Sequence, residues 1–320
     1  PERAFDRMSL VSTDRSVRSL LKQGIEQLRA AGVPSFTLAA ELLLLHVIGR
    51  DRAWLYSHPE EILPEQTAEA YFALIARRSS GVPTQHLTGK QEFWGLEFEV
   101  TPEVLIPRPE TEHLIEVALD RLAVREVRAG RHSSRLNGDN ITLVDIGTGS
   151  GCIAVTLAKE LPAATVYATD ISKAALDVAR RNAERLGVAE RIQFLQSNLL
   201  EALAESRATG HESRLFDLII SNPPYVSLRD AESLPIEIRE HEPRIALYGG
   251  EEGYELYGVL IPQAAEHLKP GGLLVLELGH GSLPAVEPLL DRSDWVNVGV
   301  AKDLAGIPRV IAAERLSPSR

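Results

Sequence analysis

The chain has 320 residues with 44% hydrophobic and 25% charged, a composition that supports a sizeable core and excludes fibrous and membrane-spanning classes. At roughly 150 residues per domain this length points to two domains. Of 34 basic and 45 acidic residues, ten of each fall in residues 1–88, so the whole net charge of −11 sits in residues 89–320, a sign that repels a nucleic-acid backbone.

Residue 1 is proline and the single methionine is Met8, which leaves two expectations: translation starting at Met8, or an initiator removed ahead of Pro1. No apolar signal core follows. Three helices are predicted next, over 16–31 with Gly32 as a stop, over 37–48 between Ser35 and Gly49, and over 64–78 with proline in the first turn. Their apolar positions, Leu20, Leu21, Ile25 and Leu28, then Leu38, Leu42, Leu45 and Val47, recur at helical spacing and are assigned to a bundle core. The leucine-rich stretch 37–49 carries Glu41 and His46 and falls short of the roughly 20 apolar residues that a bilayer requires.

After Gly81-Val82-Pro83 the period shifts toward two on either side of Gly95, which predicts a hairpin connector over 84–104. A helix should begin near Pro109. Arg125, Arg128, Arg131 and Arg135, spread among Ser, Gly and Asn, read as a solvated surface loop. From residue 141 strands and helices alternate: strands over 141–146, 165–169, 191–196, 215–221 and 272–278, with helices over 152–160, 173–186 and 254–268. This rhythm predicts an α/β fold with a mostly parallel sheet, with 296–301 and 309–313 as further strands at one edge. The lone cysteine, Cys152, can form neither an internal disulfide nor a zinc-binding pair, and the nine histidines show no metal spacing; a reducing cytoplasm fits, and no metal is expected.

Three features carry chemistry. The strand ending at Ile146 runs into Gly147, Thr148, Gly149, Ser150 and Gly151 before a helix, a turn whose glycines let backbone amides approach a ligand. Its G-x-G-x-G spacing puts Cys152 where a nicotinamide-type site would place a third glycine. Asp170 ends the second strand, where a carboxylate can accept both hydroxyls of a ribose held over the turn; alternatively it opens the following helix. Asn222, Pro223, Pro224 and Tyr225 follow the strand 215–221. Two prolines fix φ and supply no donors, leaving rigid carbonyl acceptors beside the Asn222 side chain, and Tyr225 offers an aromatic wall. That loop suits a planar NH2 group acting as a nucleophile. No G-x-x-x-x-G-K-[ST], H-E-x-x-H or G-x-S-x-G motif is present.

Together, Asp145-Ile-Gly-Thr-Gly-Ser-Gly151, Asp170 and Asn222-Pro-Pro-Tyr225 resemble the S-adenosylmethionine-dependent methyltransferases that modify planar NH2 groups. Leu105-Ile-Pro-Arg-Pro-Glu-Thr-Glu112, the preceding Gly89-Lys-Gln-Glu-Phe-Trp-Gly95, Glu242-Pro243 and Ala246-Leu247, behind a helical N-terminal segment, are similar to the HemK/PrmC family, the release factor glutamine methyltransferases. The resemblance implies a helical substrate-docking domain over 9–83 and a Rossmann-like methyltransferase domain over 105–320. It further implies transfer of a methyl group to the side-chain nitrogen (N5) of the glutamine in the Gly-Gly-Gln motif of class-one peptide chain release factors, with S-adenosylhomocysteine as the other product. On this basis Gly147, Thr148, Gly149, Ser150, Gly151, Asp170, Asn198, Leu199 and Asn222 would hold the cofactor. Asn222, Pro223, Pro224 and Tyr225 would hold the glutamine, with Asn222 and Pro223 catalytic. The family often has an acidic residue at the position of Asn198, which can still accept from the adenine amine, whereas Leu199 offers packing alone. The implied enzyme is cytoplasmic and monomeric, with a protein as its partner and neither nucleic acid nor membrane. Alternatives are a nucleic-acid adenine N-methyltransferase, a ribosomal-protein glutamine methyltransferase and a non-catalytic cofactor-binding module.

Overall fold

The computed structural model describes residues 14–128, 141–203 and 215–316. The chain divides into two compact units between Gly89 and Lys90. In the first, α1 (Val17–Ala30) starts at Ser16, whose hydroxyl accepts from the Ser19 amide, and α2 (Phe36–Ile48) stops at Gly49 in the left-handed region. A short α3 (Arg52–Ser57), capped by Asp51, precedes α4 (Glu65–Ser79), and α5 (Thr84–Thr88) occupies the start of the segment expected as a hairpin.

The core of this unit differs from the sequence expectation. Leu20 and Leu28 are buried as expected, but Leu38 and Leu42 are exposed, while Ala39, Ala40, Leu43 and Leu44 are buried in their place. Helix α2 is apolar on nearly all sides, so its periodicity marks no preferred face, and packing against α1 and α4 selects one.

The second unit opens with a hairpin, β1 (Lys90–Phe93) and β2 (Leu96–Glu99), turned at Trp94 and Gly95, both at positive φ. It is more than a connector. Phe93 and Phe98 meet edge to face, 6.1 Å between centroids, and are buried in the main core. Helix α6 (Glu112–Arg128) follows a single turn at Pro109–Thr111. It carries Arg125, which is no solvated loop residue: its guanidinium donates to the Asp217 carboxylate at 2.7 Å. Arg128 belongs to the same helix, and Arg131 and Arg135 lie outside the described residues.

The sheet then builds as β3 (Thr142–Ile146), α7 (Cys152–Glu160), β4 (Thr165–Asp170), α8 (Lys173–Arg185), β5 (Ile192–Gln196) and β6 (Phe216–Ser221). Beyond β6 come β7 (Val226–Ser227), the short α9 (Ile236–Arg239) and α10 (Arg244–Leu247), and β8 (Tyr248–Gly250). The unit closes with α11 (Glu255–His267), β9 (Leu268–Glu277), α12 (Leu283–Val286), β10 (Trp295–Lys302) and β11 (Pro308–Arg315). Seven strands pair in the order β10-β11-β9-β6-β3-β4-β5, parallel from β9 to β5 and antiparallel at β10 and β11, the edge expected for the last two.

Alternate strand residues face two cores. Leu143, Val166, Leu218, Ile220 and Val275 pack with α6 and α7, whereas Val144, Tyr167, Ile219, Leu274 and Leu276 pack with Tyr257, Leu260 and Ala264 of α11. A sheet covered on both faces leaves its carboxyl edge as the natural ligand cleft. Among the described residues no helix is long and apolar enough to cross a membrane.

Candidate active site

The cleft opens at the carboxyl ends of β3, β4, β5 and β6. At the end of β3 the chain doubles back, and the amides of Gly147 and Thr148 both donate to the Thr169 carbonyl of β4 at 2.9 Å. Gly147 and Gly149 line the cleft. Gly151 serves the packing of the turn instead. With φ at 82° it starts α7, and a Cβ there would sit 3.0 Å from that of Ala179 in α8. Thr148, Ser150 and Gly151, expected at the cofactor, therefore shape the turn and line none of the cleft. The Thr148 hydroxyl donates to Asp145 at 2.6 Å, and the Ser150 side chain is buried without a partner among the described residues.

Asp145 is wholly buried; burial pushes its pKa up to about 7, against the lowering effect of Thr148 and of the Ala154 amide. Asp170 faces the cleft with one bond to each carboxylate oxygen. Oδ2 accepts from the Gly149 amide and Oδ1 from the Ser172 amide, both at 2.9 Å. The carboxylate thus ties the glycine turn to the start of α8 while keeping further lone pairs for a ligand. Burial raises its pKa, partly offset by those amides. Asp170 thus ends β4 at the cleft, and the cap of α8 is Ser172, whose hydroxyl accepts from the Ala175 amide, rather than Asp170 itself.

Asn198 and Leu199 line the next stretch of wall. The Asn198 amide nitrogen donates to Glu201 at 2.8 Å, which leaves its oxygen to accept from a ligand. Leu199 takes a positive φ of 50°, a conformation that costs a non-glycine residue about 1–2 kcal/mol.

Opposite lie Asn222, Pro223 and Pro224. The Asn222 nitrogen Nδ2 donates to the Thr111 hydroxyl at 3.1 Å, and its oxygen Oδ1 has no partner among the described residues. Tyr225 departs from expectation. It does not line the cleft; its ring packs on Gly279, where a Cβ would come within 2.8 Å, and its hydroxyl donates to Glu277 at 3.2 Å. The bend imposed by the two prolines turns it inward, where it anchors the loop.

Several residues of the site carried no chemical signal in the sequence. Val104 and Leu105 form one apolar wall and Pro243, Ile245 and Ala246 another. One nitrogen of Arg108 donates to both oxygens of Glu242 at 2.7 Å, joining the segments that bear these walls. Thr111 and Glu277 back the Asn222 loop. Partners so far apart in the chain have no spacing to betray them; only family resemblance marked the segments carrying Arg108, Thr111 and Glu242. The lining fits an adenosyl ligand: a carboxylate for a diol, a glycine turn without side chains that lets the ligand approach the backbone, and apolar walls for a ring.

Residues 19–89 match the PrmC N-terminal domain family and residues 134–237 the methyltransferase small domain family. The chain is 43% identical over 300 residues to the release factor glutamine methyltransferase of Koribacter versatilis, covering 94% of this chain and 99% of that one. Identity to the release factor glutamine methyltransferase of Geobacter sulfurreducens is 40%, over 92% of this chain and 95% of the other. To that of Bradyrhizobium diazoefficiens it is 38%, over 98% and 99%. With such identity over nearly the full length of both partners, the chain belongs to the release factor glutamine methyltransferase family.

Proposed function

We infer that this enzyme transfers a methyl group from S-adenosylmethionine to the side-chain amide nitrogen, N5, of the glutamine in the Gly-Gly-Gln motif of class-one peptide chain release factors. The observation that carries this reading is Asn222, whose nitrogen is engaged by Thr111 while its oxygen is left unpaired in a residue that lines the cleft. When bound, S-adenosylmethionine supplies an electrophilic methyl group on its sulfonium.

The chain's own contribution is placement. Asp170 accepts the ribose hydroxyls, Gly147 and Gly149 admit the ligand close to the backbone, and Asn198 and Leu199 meet the adenine. The Asn222 oxygen and the Pro223 carbonyl accept the two hydrogens of the substrate amide. Bonding both N–H groups holds the nitrogen in line and favours localisation of its lone pair, which is otherwise delocalised into the carbonyl. Positioning of this kind supplies about 7–11 kcal/mol of a barrier when the reacting atoms are held near ~3 Å. No strong base precedes attack, because the methylated amide cation is acidic enough to lose its proton afterwards.

The N-terminal helical unit is read as the docking element for the release factor, since a glutamine on an exposed loop needs recognition beyond its neighbours. The same reading makes the enzyme a cytoplasmic monomer acting on protein; the net charge of −11, all of it in residues 89–320, supports protein over nucleic acid as substrate. The test is transfer of labelled methyl to a purified, unmodified release factor, with a Gln→Ala version of its Gly-Gly-Gln loop and an adenine-containing duplex beside it. Label on the intact glutamine alone is expected; label on the duplex would overturn the reading.

A further inference from the structure

Behind Asn222 lies a buried polar cluster that the transfer reaction, as described, does not use. Thr111 is 2% exposed, in the turn that leads into α6, and its hydroxyl accepts from Asn222 Nδ2. Glu277, also 2% exposed, ends β9 directly after Leu276, the partner of Ser221 across the parallel pair. One of its oxygens, Oε1, accepts from the Tyr225 hydroxyl, and the other, Oε2, has no partner among the described residues. Thr111 lies beside this carboxyl and lowers its pKa, against a burial that pushes it up to about 7, although no hydrogen bond is closed between them.

A threonine hydroxyl has one proton to give and two lone pairs. The bond from Asn222 Nδ2 places a lone pair of this hydroxyl toward Asn222, and Glu277, acceptor-only when ionised, draws the proton to its own side. An asparagine amide can present either end, because its oxygen and nitrogen have nearly the same shape. Against a lone pair only the NH2 end is favourable, so Oδ1 is directed away from Thr111. The opposite orientation would set the NH2 of Asn222 against the NH2 of the substrate, donor to donor.

We propose that Thr111 and Glu277 are positioning residues that lock Asn222 with its carbonyl oxygen toward the substrate amide. Glu277 sets the direction of the Thr111 hydroxyl, and Thr111 sets the direction of the asparagine. The inference rests on the reading of the cleft as an amide methyl-transfer site, and its tests are chosen to separate the two.

Thr111→Val keeps the shape of the side chain and removes the hydroxyl, and Thr111→Ser keeps the hydroxyl. Glu277→Gln places an amide in the same volume: its oxygen takes the Tyr225 hydroxyl, its NH2 faces Thr111, and the threonine proton is turned toward Asn222. On full-length enzyme with its release factor, Thr111→Val and Glu277→Gln should each lower kcat by about tenfold, the effect of 1.36 kcal/mol. The dissociation constant for S-adenosylmethionine should stay within about twofold, and Thr111→Ser should recover most of the rate. A serine variant as slow as the valine one, or unchanged kcat in Thr111→Val, would overturn the proposal.

A second measurement needs no turnover. In 15N-labelled protein the Asn222 side-chain NH2 signal, identified by its loss in Asn222→Ala, should exchange with water slowly in the wild type and fast in Thr111→Val. Equal exchange in the two would sink the lock even if methyl transfer were slowed. A wild type that methylates no release factor would defeat the functional reading and leave this exchange comparison to decide the lock.

Discussion

Gly249 offers a sharp test of how tightly the Asn222–Tyr225 loop is held. It sits in β8, whose neighbours Tyr248 and Gly250 pair with Val226 and Ser227 just beyond that loop. A Cβ at this position would lie 2.3 Å from the Pro224 carbonyl oxygen and 2.5 Å from that of Gly253, against the 3.4 Å at which ordinary contact begins. Both obstacles are backbone, so no side chain can swing aside, and Gly249→Ala must move the proline segment by about 1 Å, an overpacking that costs about 1–3 kcal/mol of stability. Pro223 and Pro224 are stiff, so the shift passes to Asn222, and a displacement of about 1 Å at a positioning group costs about 100-fold in rate. The assay is methyl transfer to the release factor under saturating cofactor, with cofactor affinity measured by calorimetry. Turnover should fall about 100-fold while affinity changes by less than about threefold, because Gly147 and Asp170 lie at the ends of β3 and β4, away from the displaced segment. Gly258→Ala is the control: it is exposed within α11 with nothing within 4 Å of its Cβ, and should stabilise the protein by about 0.5–1 kcal/mol with activity unchanged. If Gly249→Ala kept turnover within twofold, the rigid placement argued for this loop would be wrong.

Asn222→Ala should lower turnover by about 100-fold or more with cofactor affinity little changed, and an equal loss in both would reduce Asn222 to a cofactor ligand. The pH profile of kcat should lose activity as pH falls through about 7, since protonated Glu277 no longer draws the Thr111 proton; Glu277→Gln should abolish that limb. Burial, the largest influence, and the charge of Glu110 raise this pKa, Arg309 and the Tyr225 hydroxyl lower it, and Cys152 and Tyr257 share the field, so Arg309→Gln should move the limb upward. Asp217 is raised by burial but carried below the usual carboxylate range by Lys269, the Thr142 amide and Arg125 together. A depressed folded-state pKa contributes stability above the unfolded value of about 3.9 and loses it as pH falls through the folded value, so the melting-point deficit of Asp217→Asn should be full at pH 7 and shrink below about pH 4. Deleting residues 1–89 should raise KM for the intact release factor and leave transfer to a short glutamine peptide little altered; equal damage to both would make the N-terminal unit purely structural.

Local pattern determined a good deal of this protein. Strand alternation with helices, the Gly147–Gly151 turn, Asp170 at a strand end and the Asn222–Tyr225 loop are short-range features whose chemistry is set by neighbours in the chain, and the elements formed within a few residues of the expected bounds. Choices among equivalent faces or distant partners belonged to the tertiary structure. Helix α2 could have buried Leu38 and Leu42 or Leu43 and Leu44, and only packing against α1 and α4 broke the tie. Arg125 reads as a surface charge until the fold brings Asp217 to it, and the β1–β2 hairpin reads as a linker until Phe93 and Phe98 enter the sheet's core. Tyr225 was legible as an aromatic beside the loop, but its inward turn depended on Gly279 and Glu277, residues from another strand end. The direction of the Asn222 amide is the clearest case. A side chain with two nearly identical ends carries no orientation in its own identity; Thr111, 111 residues away in the chain, supplies it through a hydrogen bond that exists only once the turn before α6 and the end of β6 are brought together.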